Sequence, residues 1–387
     1  MFRAFDLLAS VQRREPGTVI RLGLSTFCCL ICTTFFSVSA QGAGRIILRN
    51  TKIYRDPVVV KMDQDGVVLK GGVTLTWDLI ERGTIGDKQA DFNRLLKDLG
   101  LNLYRIRQRM EVGDYKGLLD YANKVYPRFR GRTSDTAYMV CQALMWSRIA
   151  NGQRELAVEP FLQAFELQRH AKKGRKLPGR RTLKVDARTG ISSEILPVWF
   201  DAAAAKKCLP RVAATIGKMK RPVPEGIRIY YGTLALSAGD ASAGLQALNN
   251  IAKLTPLLSQ FRQISLAQHE IATKKPGAAL SRLRSENEKY APGARALAWY
   301  WLGLSQLDHS SATVKQEGLL FLMRIPAIEG RRHPELAAAA LYRSMKSFLK
   351  AKDAIGASAV RKELLSRYGQ TFFAMKLKKE LSPKRDN

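Results

Sequence analysis

Residues 298–307 read Ala-Trp-Tyr-Trp-Leu-Gly-Leu-Ser-Gln-Leu, and this stretch shows most clearly a pattern that recurs along the chain. Its aromatic and aliphatic residues recur at the spacing of an amphipathic helix, and Gly303 stands among them. A second stretch repeats the arrangement, since Tyr230-Tyr231-Gly232 precedes further leucines. A glycine inside such a helix lets a partner helix approach closely. Both stretches therefore predict the first helix of a packed pair.

Glycine turns separate amphipathic stretches of about a dozen residues at Gly113-Asp114, Gly152-Gln153 and Gly239-Asp240. This arrangement predicts helix hairpins. The stretches that follow such turns share a pattern at spacings of four and three: Ala157, Phe161 and Ala164; Gly244, Leu248 and Ile251; Ala279, Leu283 and Glu286; Ala357, Arg361 and Leu364. That spacing places small and large residues on one side of a helix, where they fit a paired helix. Helical spacing persists from about Asp87, so the chain is predicted to be mainly α.

The repeated pattern resembles the tetratricopeptide repeat over roughly residues 101–370. Residues 334–368 resemble the terminal repeats of periplasmic proteins that coordinate envelope assembly. The resemblance implies an α-solenoid that binds protein partners on its surface. The residues that mark the repeat are Gly113, Gly152, Gly232, Gly239, Gly303 and Trp301. Met145 and Ser344 depart from the pattern, since each stands where the repeat prefers glycine or alanine.

The amino terminus has the layout of a signal peptide. Four arginines come before residue 22, an uncharged and largely apolar stretch covers residues 22–38, and small residues follow at Ser39-Ala40. We therefore predict cleavage near Ala40 and an exported protein that is periplasmic or secreted. An uncleaved membrane anchor at the same residues is the alternative.

Residues 41–86 carry short β-branched runs separated by turn residues at 63–66 and at Gly71-Gly72. They predict a small meander of strands that curls into a barrel or leans on the helices. The helical repeats are assigned to residues 87–372, and a basic tail to residues 373–387.

The chain is strongly basic, with a formal net charge of +31 over 387 residues. Residues 169–190 are especially rich in lysine and arginine, and Gly174, Pro178 and Gly179 interrupt any helix there, so we predict an exposed loop. Cations at equivalent repeat positions can align into a stripe that attracts acidic partners or polyanions. The candidate binding residues are Arg105, Arg109, Lys172, Lys173, Arg175, Lys176, Arg180 and Arg181.

The sequence offers no catalytic, cofactor or metal motif, so no catalytic, cofactor or metal-ligating residue is proposed. His269-Glu270 begins like a zinc protease motif, but Thr273 replaces the second histidine. Acidic residues such as Glu155 lie near lysine or arginine in the sequence, which favours surface ion pairs over a catalytic pair. After the leader, the remaining cysteines are Cys141 and Cys208, which either form one bridge or serve as small buried residues.

Two functions are consistent with these sequence features. The favoured one is a non-enzymatic scaffold of the cell envelope that binds acidic or peptide-like proteins. The alternative is a binder of an anionic envelope polymer or a membrane surface, with the β module as the specific reader. An envelope hydrolase is a third and less favoured interpretation, and export argues against nucleic acid as the partner.

Overall fold

The computed structural model describes residues 44–171, 177–179, 181–284 and 289–382. Residues 42–387 form one compact unit, within which the contacts below lie. The predicted signal peptide at residues 1–40 lies outside the described residues. No helix in the described ranges combines the length and the apolar character needed to cross a bilayer.

Six short strands open the described chain. They are β1 (Arg45–Leu48), β2 (Ile53–Arg55), β3 (Val59–Asp63), β4 (Gly66–Leu69), β5 (Thr74–Leu75) and β6 (Ile80–Thr84). All pairings are antiparallel, and the strands form two sheets with the orders β2-β1-β6 and β3-β4-β5.

The β module matches the predicted meander in part. Gly66, Gly71 and Gly72 have positive φ angles, as the predicted turns require, and β3-β4-β5 is a meander. The predicted barrel is wrong, because the strands divide into two separate three-stranded sheets. The β3-β4-β5 meander lies between β1 and β6 in sequence, yet β1 and β6 pair with each other.

Helices make up most of the remaining described chain. They are α1 (Gln89–Leu95), α2 (Leu101–Val112), α3 (Leu119–Phe129), α4 (Asp135–Ala150), α5 (Val158–Arg169), α6 (Ala202–Lys218), α7 (Gly226–Ser237), α8 (Ala241–Asn249), α9 (Pro256–Ala272), α10 (Pro276–Arg284), α11 (Pro292–Leu307), α12 (Ala312–Arg324), α13 (Pro334–Lys350), α14 (Ala354–Arg367) and α15 (Phe372–Leu381).

Local chemistry explains where several of these helices begin and end. The side chains of Ser134, Asp201 and Asp240 each accept a hydrogen bond from a backbone N–H in the first turn of the helix that follows. Gly113, which ends α2, is left-handed, with a φ of 78°. Gly152 and Gly239 also have positive φ angles, so all three predicted glycine turns are confirmed.

Adjacent helices pack in pairs, and glycines set two of the crossings. A Cβ on Gly232 would lie 3.1 Å from the Gly244 carbonyl oxygen on α8, and one on Gly303 would lie 2.9 Å from the Gly318 carbonyl oxygen on α12. A larger side chain at either position would force the paired helices apart. The predicted packing role of Gly232 and Gly303 is therefore confirmed.

The break between α5 and α6 is longer and more buried than the predicted exposed loop. Leu183, Thr189 and Gly190 are buried within the predicted loop, and the apolar residues Ile195, Leu196, Val198 and Trp199 are buried beyond it. The basic composition concealed this anchoring, because the few apolar residues are the ones that reach the core.

The C-terminal helix packs back onto the α4–α5 corner. A Cβ on Gly152 would meet the Phe372 nitrogen at 2.9 Å, and Phe373 packs edge-on against Phe200 with 5.2 Å between ring centroids. Phe373, Ala374 and Leu377 are buried. The predicted basic tail is therefore a packed helix as far as Leu381.

Candidate functional site

A groove runs across four helices that are each the first member of a packed pair. α7 contacts α9, α9 contacts α11, and α11 contacts α13, while α8, α10, α12 and α14 pack as their partners. The groove encloses ≈ 480 Å³ and is lined by residues of α7, α9, α11 and α13 together with Trp199, Phe200, Ala202 and Asp308. The second helices of the pairs contribute nothing to its lining.

One tryptophan gives the groove an aromatic wall. Trp301 is half-buried and lines the groove beside Leu304 and Leu307. Its neighbours Trp299 and Tyr300 are buried, at 8% and 2% exposure. Of these three aromatic residues, Trp301 alone therefore lines the groove. Trp301 is supported from behind, since its ring lies 5.1 Å from that of Tyr300 in an edge-on arrangement.

The part of the groove that α13 lines is basic. Arg343, Lys346 and Lys350 lie on one face of α13, at helical spacings of three and four, and all are exposed. Lys350 pairs with Asp308 at 3.2 Å, and both side chains are well exposed, so this pair is weak. Lys346 pairs with Glu380 at 3.2 Å, and that hydrogen bond raises the pKa of Lys346. The groove therefore offers cations beside an aromatic surface.

Sequence reasoning missed these three cations, although a signal for them existed. Arg343, Lys346 and Lys350 occupy one face of α13, and the same helix carries the buried run Ala337 to Ala340. A basic face on a helix that buries alanines predicts a solvent-facing surface. Whether such a surface lies in a groove depends on the placement of α9 and α11, which no local pattern reports.

The cations proposed from the sequence lie elsewhere. Arg105 is exposed on α2 and donates to the Gln108 side chain at 3.1 Å. Arg109 is half-buried, pairs with Asp114 and lies over the Tyr121 ring. Neither lines the groove. The other predicted cations Lys172, Lys173, Arg175, Lys176 and Arg180 lie outside the described residues.

The Arg181 side chain contacts other residues of the protein. Its guanidinium carbon lies 3.7 Å from the centroid of the buried Trp146 ring, and its Nη2 lies 3.4 Å from a carboxylate oxygen of Glu194. A cation this close to an indole face is held by the ring quadrupole. Arg181, which the sequence predicts to bind a partner, therefore anchors its loop to α4.

A buried polar cluster joins the α4–α5 corner to α13. Arg154 is buried and donates to the carbonyl oxygens of Leu196 at 2.6 Å and Val198 at 3.1 Å. Burial lowers its pKa, and the nearby carboxylates of Glu335 and Glu155 oppose that shift. The cluster fastens residues that are far apart in sequence.

Glu155 does not form the surface ion pair that the sequence favours, because it is only 1% exposed. Its carboxylate accepts from the backbone N–H groups of Phe200 at 2.6 Å and Asp201 at 3.0 Å. Burial raises its pKa against these hydrogen bonds. Glu155 therefore ties the start of α6 to the α4–α5 corner.

Two further titratable groups are buried at the start of α13. Burial raises the pKa of Glu335 to about 7, although the Phe372 N–H donates to its carboxylate at 3.1 Å. Burial, with the charges of Arg154 and Arg332, lowers the pKa of His333 to about 3. Neither Glu335 nor His333 lines the groove. We assign this cluster to holding α13 and α15 in place.

Within the described residues, Cys141 and Cys208 are both free and buried. Burial raises the pKa of each thiol to about 12. The interpretation of Cys141 and Cys208 as small buried residues agrees with this, and the alternative of a bridge between them is wrong. Within the described ranges, no group of three or more His, Cys, Asp and Glu residues is arranged to hold a metal ion.

Comparison with known proteins identifies no relative of this chain. It matches no family model, no curated protein and no solved structure. The groove is therefore interpreted from its own geometry.

Proposed function

We propose that this protein is a non-enzymatic interaction scaffold whose groove binds an extended, acidic segment of a partner protein. One observation carries the proposal: the first helices of four packed pairs line a continuous groove with Trp301 on one wall and three cations on α13. The indole of Trp301 can pack against apolar side chains of a peptide, and the cations on α13 can pair with its carboxylates. The groove therefore suits an acidic peptide that also carries apolar residues.

The tetratricopeptide-like arrangement is part of the same proposal. In a solenoid of such hairpins, the first helices form the inner wall and the second helices form the outer one. The contacts of α7, α9, α11 and α13 with one another support this interpretation, as does the close packing at Gly232 and Gly303. Export to the envelope, proposed from residues 1–40, would place the partner outside the cytoplasm.

The proposal is tested by peptide binding. A fluorescein-labelled peptide of alternating glutamate and leucine is titrated with the protein and followed by fluorescence anisotropy, beside the matching lysine and leucine peptide. Trp301→Ala should weaken binding of the acidic peptide roughly tenfold or more, because an aromatic anchor is lost. The double variant Arg343→Glu with Lys350→Glu should weaken it to a similar degree.

A matched control uses cations on the outer partner helix. Arg361 and Lys362 are exposed on α14 and do not line the groove. Their reversal to glutamate changes the net charge by the same amount as the groove variant. Equal loss of affinity in both double variants, together with a steep loss in moderate salt and no effect of Trp301→Ala, would mean that charge alone attracts the peptide. That result would overturn the scaffold proposal in favour of polyanion binding.

A further inference from the structure

A second cavity, lined by a different part of the chain, lies between α5, α6 and the loop before α4. It encloses ≈ 470 Å³, within the roughly 300–1,000 Å³ usual for small-molecule sites. We name it the basic slot. Its lining comes from residues 130–133, from α5, and from α6 with the two residues that follow it.

The floor of the basic slot is apolar. Leu167 and Met219 are buried there, at 8% and 4% exposure. Pro210 and Ala214 extend this surface along α6, one helical turn apart, and both are exposed. Covering an exposed apolar surface in a concave site with an apolar group is favourable, because that surface is removed from water.

The two carboxylates that line the slot already have partners within the protein. Glu159 is buried and forms an ion pair with Arg130. Glu166 accepts from the Lys220 backbone N–H at 2.8 Å and lies 3.6 Å from the Arg169 guanidinium. Neither acid is therefore available to cancel other cations at the rim.

Three rim cations are left without such a partner. Arg211, Lys218 and Lys220 are exposed, and in the part of the chain that the structure describes none of their side chains has an acidic ion-pair partner. Arg132, which also lines the slot, is held by Asp63 and Asp65 of the β module at 3.2 and 2.5 Å. The slot thus combines an apolar floor with an unbalanced positive rim.

We propose that the basic slot binds a single-chain anionic amphiphile, with its acyl chain on the apolar surface that Pro210 and Ala214 expose beside Leu167 and Met219, and its acidic headgroup at Arg211, Lys218 and Lys220. A free phosphate would engage only the rim, and an uncharged lipid would engage only the floor. A ligand with one apolar chain and one anionic head satisfies both, because burial of the chain supplies affinity and the cations compensate the head.

The test uses lysophosphatidylglycerol below its micelle concentration, with titration calorimetry on the full chain. We expect saturable binding at one site, and at least tenfold weaker binding of lysophosphatidylcholine and of inorganic phosphate, roughly the effect of losing one charge-assisted contact. Ala214→Trp should weaken binding at least roughly tenfold by filling the slot. Ala213→Trp is the matched control, since Ala213 is exposed on the same helix but does not line the slot.

Charge reversal separates the headgroup from the chain. Lys218→Glu with Lys220→Glu should weaken binding about tenfold, whereas Lys206→Glu with Lys207→Glu, on α6 outside the slot, should leave it unchanged. Far-UV circular dichroism verifies that each variant is folded. The proposal would be overturned if lysophosphatidylcholine or inorganic phosphate bound as tightly as lysophosphatidylglycerol. It would also be overturned if the protein adsorbed to anionic vesicles without binding the monomeric lipid.

Discussion

Replacing Glu335 with glutamine should stabilise the protein at alkaline pH. Glu335 is 5% exposed at the start of α13, and burial raises its pKa from 4.5 to about 7. A carboxyl with a raised folded-state pKa favours the fold below pH 4.5, and that contribution is lost as the pH rises through 7. At about 1.4 kcal/mol per pKa unit, ionised Glu335 costs about 3 kcal/mol of unfolding free energy at pH 8. A glutamine at this position carries no charge to bury, and its amide oxygen can still accept from the Phe372 N–H.

The assay is urea unfolding of wild type and Glu335→Gln between pH 4 and pH 8, followed by tryptophan fluorescence. The variant should equal wild type near pH 4 and exceed it by about 3 kcal/mol at pH 8. His333 has the opposite dependence. Its pKa is lowered from 6.5 to about 3, so its contribution to stability is present above pH 6.5 and is lost as the pH falls toward 3. That contribution is common to both proteins and cancels in their difference.

Glu363→Gln is the matched control for this comparison. Glu363 pairs with Arg367 four residues along α14 at 3.1 Å, and both side chains are more than 40% exposed. Its loss should change the unfolding free energy by no more than about 0.5 kcal/mol at any pH. A Glu335→Gln difference that is the same at pH 4 and pH 8, or a variant less stable than wild type at pH 8, would refute the reasoning.

Three further predictions concern packing and burial. Gly303→Ala should lower the unfolding free energy by about 1–3 kcal/mol, because a Cβ there would lie 2.6 Å from Leu322. The control is Gly277→Ala in α10, which has open space around it and should be neutral or slightly stabilising in the same urea titration. Arg181→Ala should cost about 1 kcal/mol through loss of the contact with the indole beneath it, and an unchanged unfolding midpoint would contradict that role. Alkylation of Cys141 and Cys208, mapped by mass spectrometry, should require denaturant; labelling of either thiol in the native protein would show that it is accessible.

The features predicted well from the sequence are those that local chemistry specifies. A chain that reverses direction directly after a helix needs a residue with left-handed backbone angles, which glycine adopts most easily. The sequence alone therefore places the turns at Gly113, Gly152 and Gly239. Gly232 and Gly303 are identifiable for a related reason, because a glycine among large apolar residues at helical spacing marks a close helix crossing.

The features that the sequence did not reveal depend on contacts between distant residues. β1 pairs with β6 although four other strands lie between them in sequence, and that choice separates the strands into two sheets and prevents a barrel. Arg154 and Glu335 lie far apart in sequence, so their shared burial has no periodic signature. The groove is not visible in the sequence for the same reason, since the placement of Trp301 and the α13 cations in one groove depends on how four helices stack.

The packing of α15 on the Gly152 corner has a mechanical consequence. A row of helix pairs with two free ends can bend, and a ligand that requires one curvature loses affinity because it must restrict that bending. Here the last helix is fixed to an early corner through Phe372 and Phe373, and Arg154 is buried close to this junction. In the proposed binding mode, this junction limits bending of the helix pairs, so the partner loses little affinity to stiffening the protein.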